Sequence, residues 1–200
     1  MSFVFPEEFV LFDLEYTAWE DSQERNWSGP NEYREIIQIG AIRVSSDLVE
    51  QNSFLAYVRP VKNPKLSDFI IGLTGISQDD IEQKGIAYPD AFQEFTRFVG
   101  DIHAYCWGKD IEVIKENNML TGVSATLSPD QYENLRPMMA ADFSEIDVDV
   151  AKYSSGTLIS AFGADSGRRA HDAVNDMRNL LDAIRELGSQ KGSLPNELTR

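Results

Sequence analysis

Asp13 and Glu15 flank Leu14 at the end of an apolar run, Asp110 closes Trp107-Gly108-Lys109, and His171 precedes Asp176 by five positions. Side chains alternate across a strand, so Asp13 and Glu15 point to one side with Cα atoms about 6.5–7 Å apart. Two carboxylates that close repel, and a buried strand end holds them only with a compensating cation or proton. Solvated acids at a strand end are the alternative, and this pair alone leaves the two readings level. Asp110 is expected to open a helix after a strand, where aspartate caps helices whatever the function. Asp172 is likewise expected to cap the last helix, which puts Asp176 in its first turns and His171 just outside, able to face the same neighbour. His171 adjoins the polar stretch 163–169, a poor place for a core histidine, whereas His103 lies in an apolar run and is expected in the core or at a sheet edge.

Together, Asp13, Glu15, Asp110 and Asp176 supply hard oxygen ligands suited to Mg²⁺ or Mn²⁺, with no soft ligand in the set. Two such ions about 3.5–4 Å apart stabilise the attacking and leaving oxygens of a phosphodiester during in-line displacement. A nearby histidine, with an ordinary pKa of about 6.5, can take the proton of the attacking water. This is a nuclease design.

The elements that must position these groups are legible in the hydrophobic pattern. Residues 9–14, 36–44 and 53–59 read as three strands in a meander, the first two as nearly continuous apolar runs of buried strands. Between the first two, residues 17–34 read as a long polar loop holding Gly29-Pro30. Residues 90–99 read as a helix capped by Asp90 and stopped at Gly100, 103–107 as a strand and 111–120 as a helix. The segment 121–136 is read as loop-like or weakly helical and 137–142 as a fifth strand. In 172–187, Val174, Met177, Leu180, Leu181, Ile184 and Leu187 make one apolar stripe, with Gly188 just past the end. The pattern predicts an α/β sheet covered on both faces, in one domain over 1–188, with 189–200 as a flexible tail.

Composition sets an apparent objection. The chain has 200 residues, 18 Lys plus Arg against 33 Asp plus Glu, and a formal net charge of −15. Passive nucleic-acid binders carry basic stripes. Bound cations, however, become the largest local charges in a carboxylate site and reverse the local field. Cys106 is the single cysteine, which rules out an intrachain disulfide or a thiolate cage and favours a reducing, cytoplasmic setting. Glu7 and Glu8 interrupt what would be the apolar stretch of a signal peptide, and no segment has the length of a membrane span.

Beyond this chemistry, the sequence resembles the DEDDh (DnaQ-like) 3′-to-5′ exonucleases. FDLEY (12–16) looks like their first motif, WGKD (107–110) their second and HDAVND (171–176) their third. REIIQIGAIRV (34–44) is similar to the strand after the first motif, and residues 54–76 to a segment of the Eri-type enzymes, which trim RNA 3′ ends. The resemblance implies an RNase H-like mixed five-stranded sheet, a three-strand antiparallel meander plus parallel strands, flanked by helices on both faces. It further implies that Asp13 bridges two ions, that Glu15 and Asp176 bind the water-activating ion, that Asp110 supports the second and that His171 is the general base. Leu14, Glu15, Leu73, Thr74 and His171 become the substrate-contact candidates, and nucleoside 5′-monophosphates the products.

The implied partner is a nucleic-acid 3′ end, RNA favoured over DNA, with no membrane. Eri-type proteins often carry a further nucleic-acid-binding domain, for which no room is expected here, so short or single-stranded ends are the expected substrates. The loop 17–34 is expected beside the site, with Trp19 and Trp27 either stacking on a base or packing the loop down, and Arg25 near them. A DNA-directed proofreading-type exonuclease and a non-catalytic metal-binding interaction module stay open as alternatives. A homodimer stays open as well, with no apolar patch locatable from pattern.

Overall fold

Strand β1 (Glu8–Tyr16) is buried on both faces, and its alternation deals side chains to two separate cores. Phe9 and Leu11 enter one; Val10, Phe12 and Leu14 enter the other. In the computed structural model, which describes residues 3–125 and 127–192, β1 lies at the centre of a five-stranded sheet of order β3-β2-β1-β4-β5. β2 (Ile36–Ser45) and β3 (Glu50–Tyr57) continue from β1 as an antiparallel meander. β4 (His103–Cys106) and β5 (Tyr132–Asn134) run parallel to it on the other side.

Helices α3 (Tyr88–Val99) and α4 (Asp110–Thr121) cover the Val10 face, burying Phe92, Phe95, Val113 and Ile114. Helices α5 (Leu135–Ser144) and α6 (Ala173–Gln190) cover the Phe9 face, burying Met139, Phe143, Met177, Leu180 and Ile184. Each large aliphatic group so buried contributes about 1.5–3 kcal/mol, so the α6 stripe, rather than helix propensity, fixes that helix on the sheet. Two short helices, α1 (Asp68–Thr74) and α2 (Gln78–Lys84), close a third cluster around Ile37, Ile70 and Ile81. At seven residues each they depend on their caps: Ser67 Oγ accepts from Ile70 N at 3.1 Å, and Ser77 and Asp80 form a capping box.

The mixed sheet and its two helical faces agree with the expected architecture, and several local expectations are corrected. The fifth strand is Tyr132–Asn134, not 137–142, which is helical within α5. Asp90 does not cap α3, whose N-cap is Ala87, with Pro89 and Asp90 in the first turn. Asp110 is not a cap either; it is the first residue of α4, after Lys109. The third strand begins three residues earlier than 53 and ends at Tyr57, while α1 and α2 lie in a stretch whose pattern predicts no helix. Asp172 does cap α6, accepting from Asn175 N at 3.0 Å, but Gly188 lies inside that helix, which runs on to Gln190. Of the expected tail, 189 and 190 are therefore helical, and 193–200 lie outside the described residues. His103 is half-buried at the start of β4, its ring stacked against Tyr105. Among the described residues no helix is long and apolar enough to cross a membrane.

Candidate active site

Asp13 and Glu15 continue the Phe9–Leu11 side of β1, so they face α6. Opposite them on β2 stand Gly40, paired with Asp13, and Gln38, paired with Glu15. Both serve the helix: Gln38 Oε1 accepts from Ala173 N at 2.9 Å, and a Cβ on Gly40 would lie 2.6 Å from Ala173 Cβ. The first turn of α6 thus rests directly on the sheet, which delivers Asp176 to the two β1 acids.

His171 precedes α6 in the left-handed region, with φ of 61°, and donates its backbone N–H to Asp176 Oδ1 at 3.1 Å. Ligand atoms of Glu15, His171 and Asp176 all lie within 4.8 Å of one another. Asp110 arrives from the turn after β4, where Asn134 Nδ2 donates to Gly108 O at 2.9 Å and holds the turn's shape. A second turn closes the site from the side, with Ser155 Oγ donating to Asp13 Oδ1 at 3.2 Å. Its neighbour Gly156 is required there, because a Cβ would lie 2.3 Å from Asp176 Oδ1.

The four carboxylates are buried, with Asp13 9%, Glu15 6%, Asp110 6% and Asp176 3% exposed. Burial, then the charges of Asp110, Asp176 and Glu15, push Asp13 well above the usual carboxylate range; Ser155 offsets part of this. Glu15 is raised for the same reasons, by burial and then by Asp176 and Asp110. Burial lifts Asp110 to about 6 against opposing backbone N–H groups, and Asp176 to about 7 against the N–H of His171. His171 goes the other way, lowered by burial and by Arg169. Among the described residues no lysine or arginine forms an ion pair with any of the four acids. Buried, like-charged and unpaired by any protein cation, this donor set fits hard divalent ions.

The acids floor a cleft of about 880 Å³. Asp13, Leu14, Glu15, Asp110, His171 and Asp176 all line it, and Leu73 of α1 lines it too, 37% exposed. Thr74 does not: it is buried, its hydroxyl donating to Ile70 O at 2.8 Å and accepting from Ile76 N at 3.0 Å, and Phe69 takes the place beside Leu73. The loop 17–34 forms one wall. Trp27 packs it down, donating Nε1 to Thr17 O at 3.0 Å and meeting the Tyr16 ring, while half-buried Trp19 also borders the cleft. Arg25 pairs with Glu32 and does not line the cleft. Gln38, Gly40, Ser155, Gly156 and Arg136 also shape the site, and the spacing of charged residues gave no sign of them. The one signal within reach was the pairing of 38 and 40 with the D-x-E acids in a predicted hairpin.

The sequence matches the family model described as RNase T, exonuclease, over residues 10–184. The chain belongs to this exonuclease family. Several of the relatives it matches bear the names 3′-5′ exoribonuclease 1 and ERI1 exoribonuclease 2. The exonuclease chain is 26% identical over 182 residues to 3′-5′ exoribonuclease 1 of Rattus norvegicus, covering 85% of this chain and 50% of that one. It is 40% identical over 74 residues to 3′-5′ exoribonuclease 1 of Homo sapiens, covering 36% and 20%. It thus spans about half the length of the rat and mouse relatives it matches. Its fold is that of the nuclease domain of 3′hExo, a DEDDh family member solved with rAMP, with TM-score 0.74, 19% identity, and 94% and 95% of the two chains covered. Cell-death related nuclease 4 superposes similarly, with TM-score 0.74 at 18% identity over 92% of this chain and 64% of that one.

Proposed function

We propose that the chain is a metal-dependent 3′-to-5′ exonuclease that removes nucleoside 5′-monophosphates from single-stranded RNA or short oligonucleotides. The observation that carries this is the meeting of four buried carboxylates and one histidine in a single open cleft, with no protein cation paired to the acids among the described residues. Asp13, Glu15, Asp110 and Asp176 would hold two Mg²⁺ or Mn²⁺ ions. When bound, such ions supply Lewis acidity at the scissile phosphate and ease deprotonation of a water.

The chain's own groups do the rest. Asp13 feels the charges of Asp110, Asp176 and Glu15, so it would help to hold both ions. His171, kept neutral by its surroundings, takes the proton of the attacking water on a ring nitrogen. Leu73 gives the terminal nucleoside apolar contact at the cleft wall, while Leu14, its side chain buried in the opposite core, would meet it through backbone. RNA is favoured because the matched relatives bear the name exoribonuclease.

The test is a 5′-labelled RNA and a DNA of the same sequence, each incubated with Mn²⁺ or with EDTA. A ladder shortening from the 3′ end, abolished by EDTA and by Asp13→Ala, is expected, and faster on RNA. A faster DNA ladder would make the enzyme a proofreading-type exonuclease. No ladder, together with no heat of Mn²⁺ binding in calorimetry, would leave a non-catalytic interaction module.

A further inference from the structure

Two donors at the cleft lack a partner among the described residues. Arg136, the second residue of α5, borders the cleft with its guanidinium over the Trp107 ring, Cζ 5.7 Å from the centroid. Its Nη2 donates to Tyr153 O at 3.2 Å, but its Nε is buried with no hydrogen-bond partner. Trp107 is 1% exposed and also borders the cleft, and its Nε1 is likewise buried and unpartnered.

A buried donor left unsatisfied costs about 1–3 kcal/mol, more for a charged group, so two of them at one wall need an explanation. Asp110 is close enough to favour the charged guanidinium, but Arg136 makes no ion pair with it or with any other carboxylate among the described residues, so no carboxylate completes its Nε. Guanidinium and indole N–H are donors only, so whatever completes them is an acceptor, and the fixed positive charge favours an anion. Planar guanidinium matches phosphate oxygens best, and the cleft already faces a phosphodiester under the exonuclease proposal.

We infer that Arg136, seated on Trp107, is a phosphate-binding residue of this cleft, holding a non-bridging oxygen of the nucleotide beside the carboxylates. The inference rests on the exonuclease reading for the identity of the anion. Arg136 draws the strand into register by this contact and takes no part in proton transfer.

The test is calorimetric titration of Mn²⁺-loaded protein with adenosine 5′-monophosphate and with adenosine. Arg136→Met keeps a stem to pack on Trp107 but loses every donor, and is expected to weaken the monophosphate about tenfold or more while leaving adenosine and Mn²⁺ binding unchanged. Arg136→Lys restores the charge without the planar fork and recovers only part of the loss. Trp107→Phe keeps a ring under the guanidinium, removes one donor, and gives a smaller loss of the same kind, which serves if Arg136→Met fails to fold. Unchanged monophosphate affinity in these variants, or a parallel loss of adenosine, would overturn the inference and leave the exonuclease reading standing. An unsubstituted protein that binds neither Mn²⁺ nor the monophosphate would overturn both.

Discussion

Gly40 and Asp13 face each other across β2 and β1, and the missing side chain at Gly40 is what lets α6 lie on the sheet beside that carboxylate. A Cβ there would come within 2.6 Å of Ala173 and of Val174 N, backbone that has nowhere to go. Gly40→Ala is expected to lower stability by about 1–3 kcal/mol by overpacking and to carry Asp176 away from Asp13 and Glu15. Calorimetry should then find weaker Mn²⁺ binding although every ligand is intact. Gly72→Ala, inside α1 with open space around it, is the control that should leave Mn²⁺ binding unchanged and not lower stability. Normal Mn²⁺ affinity in the Gly40 variant would mean that α6 can seat another way.

The acids make a second prediction, about stability against pH. A carboxyl whose folded pKa is raised contributes stability that is full below its unfolded value, about 3.9 for Asp, and is lost as pH rises through the folded value. Asp110 at about 6 and Asp176 at about 7 put that loss between mildly acidic and neutral pH, with Asp13 and Glu15 adding to it in the same direction. Metal-free protein should therefore melt at a higher temperature in mild acid than in mild alkali. Mn²⁺ should remove or reverse the difference, since it binds the ionised form. Asp13→Asn should raise the metal-free Tm in mild alkali while abolishing activity. A metal-free Tm independent of pH would contradict the electrostatic account.

His171→Ala keeps the backbone N–H that Asp176 accepts, so the metal site should survive it. Turnover is expected to fall roughly 100- to 10,000-fold, with Mn²⁺ affinity nearly unchanged. Because burial and Arg169 hold the imidazole below its ordinary pKa, the base form persists into mild acid. The acid limb of kcat/KM that belongs to this group should vanish in the variant. Equal losses of turnover and Mn²⁺ binding would make the histidine a structural or ligating group.

The loop wall makes the fourth. Glu20, Asp21 and Glu24 border the cleft and form no ion pair among the described residues. A long strand must lead further phosphates past them, whereas a dinucleotide does not. Efficiency should fall with substrate length, and added salt should narrow the gap by screening the repulsion, the reverse of the usual salt effect on nucleic-acid binding. The triple change Glu20→Gln, Asp21→Asn, Glu24→Gln should speed long strands and leave dinucleotides unaffected. Rates that rise with length at low salt would refute the role assigned to this wall.

What the sequence made legible was carried by long-range patterning. β1 and β2 are continuous apolar runs and α6 has an unbroken stripe, so those elements were readable, and with them the positions of Asp13 and Glu15 late in β1 and of Asp176 in the first turn of α6. The failures lie where tertiary contact decides. Tyr132–Asn134 is a strand only because Ala104, Tyr105 and Cys106 offer it a parallel edge, and three residues carry no period of their own. Residues 137–142 have the apolar content of a short strand, and their helix is set by the cap at Asn134 and the burial of Met139 and Phe143. Helices α1 and α2 are too short for periodicity to speak. Thr74 was placed at the cleft by resemblance alone, while its hydroxyl is taken up inside α1. Gln38, Gly40 and Gly156 act through fit against α6, and Ser155 through its bond to Asp13 of β1, contacts that no single stretch of sequence encodes.

His171 holds a left-handed backbone conformation, where a residue with a Cβ is disfavoured by about 1–2 kcal/mol and glycine is not. The same position is asked for an imidazole. Laboratory evolution of this chain that screens only for heat resistance should therefore select glycine at 171, just as it should select amides in place of the clustered acids. Under the proposed function the survivors would be hardy and inert, and a thermostable, active variant of this chain calls for libraries in which 171 and the four acids are locked or in which every round is also scored for turnover.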